Sequence, residues 1–84
     1  MAVKFVVRTP QQLGSLMKAF RKQAGLTQTD LGKQLGISRQ AVTALEHEPE
    51  TASFGRLMKV WAVLGIEVTL QQGAERSNTQ DMEW

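Results

Sequence analysis

Residues 28–46 read QTDLGKQLGISRQAVTALE, and the architecture of the whole chain follows from them. Leu31 and Leu35 are four positions apart, so they lie on the same face of a helix. Gly36 comes next, and a glycine can adopt the left-handed conformation that ends a helix without a side-chain clash. The pattern predicts a short helix that stops at Gly36.

A second short helix is predicted directly after this glycine. Ser38 can cap it, because its hydroxyl can accept a free backbone N–H, and Val42 and Leu45 share its inner face. Gly32 adds almost no bulk to the first helix, so the second can cross it closely. Two helices that cross over so short a turn form a helix-turn-helix unit, whose second helix can enter the DNA major groove. The alternative is an ordinary helical hairpin in a small bundle, because leucines at this spacing also form plain cores.

The outward face of this unit supplies the candidate DNA contacts. With Val42 and Leu45 turned inward, the exposed side of the second helix carries side chains that hydrogen-bond, and none of them is acidic. We expect Gln28 and Lys33 to hold phosphates, while Thr29, Ser38, Arg39, Gln40 and Thr43 face the groove. By bidentate geometry Arg39 favours guanine and Gln40 favours adenine, although both side chains also bind phosphates.

The charge of the chain is divided unevenly along its length. Residues 1–45 carry seven basic side chains against one acidic side chain, a net charge of +6. Residues 46–84 carry three basic against seven acidic side chains, a net charge of −4. The half that holds the helix pair is therefore the half that attracts phosphate, and its affinity for DNA should fall with added salt.

Composition narrows the function classes. A chain of 84 residues is one small domain, which dimerisation would help to stabilise. It has no cysteine, a single histidine (His47, beside several glutamates) and no phosphate-binding loop, so an enzyme is the least supported class, and we expect no cofactor and no metal site. The sequence shows no signal-peptide pattern and no apolar run of membrane-spanning length, which indicates a cytoplasmic protein.

Two further helices flank the central pair. Thr9 and Pro10 predict a helix start, and this helix runs to about Gln23 with Arg21 expected on its flank among lysines. Thr27 and Asp30 form a variant of the capping box for the next helix. Ser53 can cap a last helix that ends at Gly65. Its expected inward stripe comprises Phe54, Leu57, Met58, Trp61 and Leu64, and Val60 and Val63 widen the apolar surface enough to predict cover by a second copy of the chain.

The remainder of the chain predicts one strand and a tail. Residues 66–71 alternate apolar and polar side chains, the period of a half-buried strand. A lone strand must find a partner, either the KFVV segment of the same chain or the equivalent strand of another chain. Residues 72–84 are polar and predict a disordered tail, in which a terminal tryptophan, Trp84, is unusual. We therefore expect a DNA-binding and dimerisation domain over residues 1–71.

Residues 28–46 resemble the phage-repressor-like helix-turn-helix domains of the Xre and Cro/C1 type. Together with residues 9–27, the segment IEVTL and the terminal MEW, they resemble the HipB-type antitoxins over nearly the whole chain. The resemblance implies a mainly α bundle of four to five helices, with a short C-terminal strand that pairs across a homodimer. It also implies binding to double-stranded operator DNA with an inverted repeat, in the promoter of the antitoxin itself.

The same resemblance implies a second partner, a HipA-like serine/threonine kinase toxin, which the antitoxin holds inactive. The tail that ends in Trp84 would reach a pocket on that toxin. Two alternatives stay open at this point. A stand-alone phage-type repressor would use the same DNA-binding residues but would leave Trp84 without a role. A protein-binding helical module without a DNA role would bind DNA weakly and without sensitivity to salt.

Overall fold

A computed structural model describes residues 4–73 of the chain. Its four α-helices are α1 (Pro10–Gln23), α2 (Gln28–Leu35), α3 (Arg39–His47) and α4 (Phe54–Leu64), and a 3-10 turn at Pro49–Thr51 joins α3 to α4. The mainly α architecture predicted for the chain is confirmed. The predicted tail and Trp84 lie beyond the described residues, except for the first two positions of that tail.

Side-chain caps start all four helices at the predicted positions. The hydroxyl of Thr27 accepts the backbone N–H of Asp30 at 3.0 Å, and the carboxylate of Asp30 accepts the backbone N–H of Thr27 at 3.0 Å. Thr9 forms the same reciprocal pair with Gln12, whereas Ser38 and Ser53 cap α3 and α4 through their hydroxyls alone. These local bonds satisfy N–H groups that a helix start would otherwise leave free, and they fix where each helix begins.

The capping bond also changes the acidity of Asp30. The backbone N–H of Thr27 lowers the pKa of this carboxyl below its ordinary value, with smaller contributions from the Thr27 hydroxyl and from Lys33. Because the folded state favours the charged form, the carboxylate stabilises the fold at pH values above its unfolded-state pKa. That contribution is lost as the pH falls through the lowered pKa of the folded state.

Left-handed glycines end α2 and α4 as the sequence predicts. Gly36 has φ 73° and Gly65 has φ 72°, a region in which side-chain-bearing residues are strained. After Gly36, the backbone N–H of Ile37 donates to the carbonyl of Gly32 at 2.9 Å, which satisfies one of the last carbonyls of α2. The chain therefore reverses sharply between α2 and α3.

The core lies where the inner faces of the four helices meet. Its buried apolar side chains are Met17, Leu31, Val42, Leu45, Leu57, Val60 and Trp61. The inward stripe predicted for α4 is partly wrong. Phe54 and Met58 are 65% and 53% exposed. Val60 and Val63, expected to widen the surface that a second copy covers, instead belong to the core of the same chain: Val60 lies in it and is only 2% exposed, and Val63 packs against it. The helix is rotated about its axis so that Leu57, Val60 and Trp61 face the bundle. The ring of Phe54 packs edge-on against the ring of Trp61, with the two centroids 5.7 Å apart.

Close helix approach depends on two glycines. A Cβ atom added to Gly32 would lie 2.7 Å from the carbonyl oxygen of Ile37, which confirms that Gly32 lets the turn and the start of α3 pass close to α2. A Cβ added to Gly14 in α1 would overlap the carbonyl oxygen of Glu46 near the end of α3. The sequence pattern does not predict this second contact.

The predicted strand at residues 66–71 has no pairing partner in the part of the chain that the structure describes. Neither this segment nor residues 4–8 adopts strand structure within residues 4–73. Phe5 instead packs edge-on against Phe20 of α1, with ring centroids 5.9 Å apart. Leu70 is 96% exposed. Pairing between two chains therefore stays a prediction, while pairing with the KFVV segment of the same chain is not seen.

Candidate nucleic-acid interface

All seven residues predicted to contact DNA lie on α2, on α3 or in the turn between them. Gln28 is half-buried, whereas Thr29, Lys33, Ser38, Arg39, Gln40 and Thr43 are exposed. Because Val42 and Leu45 are buried on the opposite flank of α3, this helix shows its polar side to solvent. The amphipathic orientation that the sequence predicts for α3 is therefore the one that the fold adopts.

Ser38 has a local role at the start of α3. Its hydroxyl oxygen accepts the backbone N–H of Ala41 at 3.1 Å, while its own hydrogen stays available for donation. Within residues 4–73, the side chains of Thr29, Lys33 and Gln40 make no hydrogen bond to the protein. These three exposed side chains are therefore free to donate or accept hydrogen bonds with a ligand.

Gln28 connects the exposed face of α3 to the interior. Its Nε2 donates to Glu46 Oε1 at 3.1 Å, and its Oε1 lies 3.0 Å from the hydroxyl oxygen of Thr43. Arg39 Nη1 lies 3.5 Å from the same Oε1, at the long limit of hydrogen bonding. The structure thus brings Gln28 next to Arg39 and Thr43, which lie 11 and 15 positions later in the sequence.

A buried ion pair lies behind this group. Arg21 Nε donates to Glu46 Oε2 at 2.6 Å and Arg21 Nη2 donates to Glu46 Oε1 at 3.3 Å, while Arg21 Nη1 donates to the carbonyl of Leu26 at 2.8 Å. Both charged side chains are only 7% exposed. The expectation that Arg21 lies on the exposed flank of α1 is wrong. Its position in the sequence could have indicated its burial, since Arg21 follows the buried Met17 by one helical turn and therefore lies on the same face of α1.

Two positively charged side chains, those of Lys22 and Arg39, line a cleft at the start of α2. An open cleft of about 550 Å³ lies between the end of α1 and the start of α2, and its lining includes Lys22, Thr29 and Arg39. Arg21 also lines the cleft, but Glu46 already neutralises its charge. The first backbone N–H groups of an α-helix have no partner within the helix and point toward bound anions. The cleft can therefore accept a phosphate group.

The described residues show neither a metal-binding cluster nor a membrane-spanning helix. His47 is exposed, and no group of histidine and acidic side chains within residues 4–73 is arranged to hold a metal ion. Over the same residues, every helix is too short or too polar to span a lipid bilayer.

Comparison with known proteins agrees with this geometry. Residues 17–71 match the HTH_3 helix-turn-helix family. The chain is 32% identical over 82 residues to the antitoxin HipB of Escherichia coli O6:H1, covering 93% of this chain and 87% of that protein. It is 29% identical over 82 residues to the antitoxin HipB of Escherichia coli K12, covering 93% of both chains.

Solved structures give the same result. A HipA–HipB–O2–O3 complex contains a chain with a TM-score of 0.74 and 29% identity, covering 82% of this chain and 97% of that one. A HipB–O4 20mer complex gives a TM-score of 0.75 and 29% identity, covering 86% of this chain and all of that one. The fold and the sequence thus agree: this chain belongs to the helix-turn-helix family and, within it, to the relatives of the HipB antitoxins.

Proposed function

We propose that this chain is the antitoxin of a type II toxin–antitoxin pair in the cytoplasm. It represses its own promoter as a dimer, and it binds and neutralises a HipA-like serine/threonine kinase toxin. The observation that carries the DNA-binding part is the orientation of α3, which buries Val42 and Leu45 and exposes Arg39, Gln40 and Thr43. It acts by binding alone and catalyses no reaction.

The DNA-binding step follows from the placement of these side chains. The first turns of α3 enter the major groove, where Arg39, Gln40 and Thr43 meet base edges. Gln28 and Lys33 approach the phosphates from α2, and Thr29 lies at the edge of the groove. Ser38 keeps the start of α3 in place through its capping bond. Phosphate contacts fix the register of the protein on DNA, and base contacts select the sequence.

Gln40→Ala tests base recognition directly. Gln40 is exposed and makes no side-chain hydrogen bond within the described residues, so the change should leave the fold intact. We expect it to cost about 1–3 kcal/mol of affinity for the duplex that the wild-type protein selects from a randomised library. Affinity for a scrambled duplex should be unchanged in a gel-shift titration.

The control is Gln11→Ala, an exposed glutamine on α1, which should leave both affinities unchanged. The wild-type titration is repeated over a range of salt, and affinity for both duplexes should fall steeply as salt rises. Weak binding that is insensitive to salt would favour the helical module without a DNA role. Equal losses on the two duplexes would assign Gln40 to the phosphate backbone.

A second copy of the chain would cover an apolar face that the single chain leaves open. Phe54 and Met58 on α4 are more than half exposed, and so are Val68 and Leu70 in the segment that follows. Several large apolar side chains left exposed on one small domain are typical of an interface. Pairing of residues 66–71 across the dimer would hold two copies of α3 about 34–36 Å apart, the spacing of adjacent half-sites in an inverted repeat.

Met58→Lys should separate this dimer. A lysine within this interface would have to be buried without a partner, which disfavours association. We expect sedimentation analysis to shift from dimer to monomer, and binding to a two-half-site duplex to weaken. Gln11→Lys adds the same charge at an exposed position outside this face and should remain dimeric. A Met58→Lys protein that stays dimeric would place the interface elsewhere.

Toxin binding is the remaining part of the proposal. It is supported by relatives that are named as antitoxins and by a similar chain found in a HipA–HipB complex. Trp84→Ala should weaken binding to a HipA-like kinase, because a terminal tryptophan suits a deep apolar pocket. Thr79→Ala in the same tail serves as the control. The measurement is calorimetric titration of kinase into each variant.

Measuring the affinity of Trp84→Ala for DNA shows whether an effect on kinase binding is specific. Trp84→Ala should bind the selected duplex as tightly as the wild type does. If its affinity for the kinase is also unchanged, Trp84 has no role in toxin binding. If the wild-type chain itself binds no kinase, the stand-alone repressor is the better description of the protein.

A further inference from the structure

The buried carboxylate of Glu46 determines which way the side-chain amide of Gln28 points. A carboxylate can only accept hydrogen bonds, so the amide group 3.1 Å from Glu46 Oε1 must be the NH₂ end. The oxygen of the same amide then faces the opposite way. Arg21 holds the carboxylate in place through two hydrogen bonds, which leaves Glu46 little freedom to turn.

The side-chain oxygen of Gln28 faces the exposed side of α3, to which the proposed function assigns the DNA contacts. It lies 3.0 Å from the Thr43 hydroxyl and 3.5 Å from Arg39 Nη1. Both of these groups are donors, and both belong to exposed residues predicted to meet base edges. The hydroxyl of Thr43 also lies 3.1 Å from the carbonyl of Arg39, so its single hydrogen has two acceptors to choose from. An oxygen at this position favours one arrangement of the Arg39 guanidinium over others.

We propose that Glu46, held by Arg21, is a positioning residue for DNA sequence recognition. Its carboxylate orients the amide of Gln28, whose oxygen holds Arg39 and Thr43 in the arrangement that contacts base edges. The inference rests on the proposed DNA-binding function and extends it to two largely buried side chains, those of Arg21 and Glu46. An arginine ordered before binding loses less side-chain entropy when the complex forms, so the benefit appears as affinity for the correct sequence.

Gln28→Met provides the main test. Methionine keeps the length of the side chain and leaves the Arg21–Glu46 pair intact, but it removes both ends of the amide. We expect affinity for the duplex selected by the wild-type protein to fall about two- to tenfold, the range for losing the pre-ordering of one side chain. Affinity for a scrambled duplex should fall less, because only the phosphate contact of Gln28 is lost there. Selection from the randomised library should show a relaxed preference at the base pair that Arg39 contacts.

Arg39→Ala separates positioning from a purely structural role. If Gln28 acts through Arg39, adding Gln28→Met to an Arg39→Ala protein should cause little further loss of the preference for the selected duplex over the scrambled one. A loss that is equally large in both backgrounds would overturn the inference. So would equal losses on the selected and scrambled duplexes, because these would make Gln28 a phosphate contact only.

Glu46→Gln tests the origin of the orientation. A glutamine at this position can present either end of its amide, so it no longer forces the NH₂ of Gln28 inward. We expect the same relaxed base preference as in Gln28→Met, and a full wild-type preference would overturn the inference. If Glu46→Gln fails to fold, as thermal unfolding would reveal, Gln28→Met decides alone. A wild-type protein that selects no sequence would refute the proposed DNA function itself, whatever Gln28→Met does.

Discussion

Arg21→Met should lower the free energy of unfolding by about 3–5 kcal/mol, the usual cost of breaking a buried ion pair from one side. The change leaves the Glu46 carboxylate, which is 7% exposed, without a counterion. It also removes the donor to the carbonyl of Leu26. Urea denaturation followed by circular dichroism measures the loss, with little change in the slope of the transition.

Two matched variants identify the cause of this loss. Lys22→Met removes a neighbouring positive charge that is exposed, and it should change stability by less than about 0.5 kcal/mol. Arg21→Met combined with Glu46→Leu replaces both buried charges by apolar groups and should recover most of the lost stability. Equal effects of Arg21→Met and Lys22→Met would show that the ion pair contributes little to the fold.

Gly14→Ala should destabilise the protein by about 3 kcal/mol, the upper part of the range for overpacking a core. In an unhindered helix the same replacement is favourable by about 0.5–1 kcal/mol, because alanine restricts the unfolded chain. At Gly14 the added Cβ would overlap the carbonyl oxygen of Glu46, and Pro49 lies 3.4 Å away on the same side. Backbone atoms cannot move aside as a flexible side chain can, so α1 and α3 must separate.

Gly55→Ala is the control for this replacement. Gly55 also lies within a helix, but a Cβ added there meets nothing within 4 Å. We expect it to raise the free energy of unfolding by up to about 1 kcal/mol. The two glycine replacements should therefore have opposite signs in the same urea titration. If both replacements raised the free energy of unfolding, the packing of α1 and α3 would not depend on the absence of a side chain at Gly14.

Helix boundaries could be predicted from the sequence because their causes are local. Thr27 and Asp30, which form the capping pair, are three positions apart, and the left-handed conformation of Gly36 depends on that residue alone. Such features start or end a helix in the same way whatever residues surround them. The helix-turn-helix unit was predictable for the same reason, since its turn, its cap and its inner apolar residues are contiguous in the chain.

Features that depend on distant residues could not be predicted in this way. Arg21 and Glu46 are 25 positions apart, and each alone resembles an ordinary exposed charge. The contact between Gly14 and α3 likewise cannot be predicted until the packing of α1 against α3 is known. In α4 the difficulty is different: a helix with apolar residues around most of its circumference does not specify which face turns inward, so Phe54 and Met58 were expected in the core.

The candidate site shows the same division. Spacing along α2 and α3 predicted which residues are exposed, because a buried flank of α3 leaves only one flank for solvent. It did not predict that Gln28 contacts Glu46 and Thr43, which lie 18 and 15 positions away. Hydrogen bonds across such separations depend on the crossing angle and the distance between helices, which spacing along one chain does not contain.

The glycine contacts at Gly32 and Gly14 have a consequence for how this protein could change its target. Gly32 allows the beginning of α3 to pack closely against α2, and Gly14 allows its end to pack closely against α1. The position of α3 therefore depends on backbone contacts on its buried side, and not on the side chains on its exposed side. Gln40 could be exchanged for other residues during evolution or by design, giving new operator preferences on an unaltered scaffold.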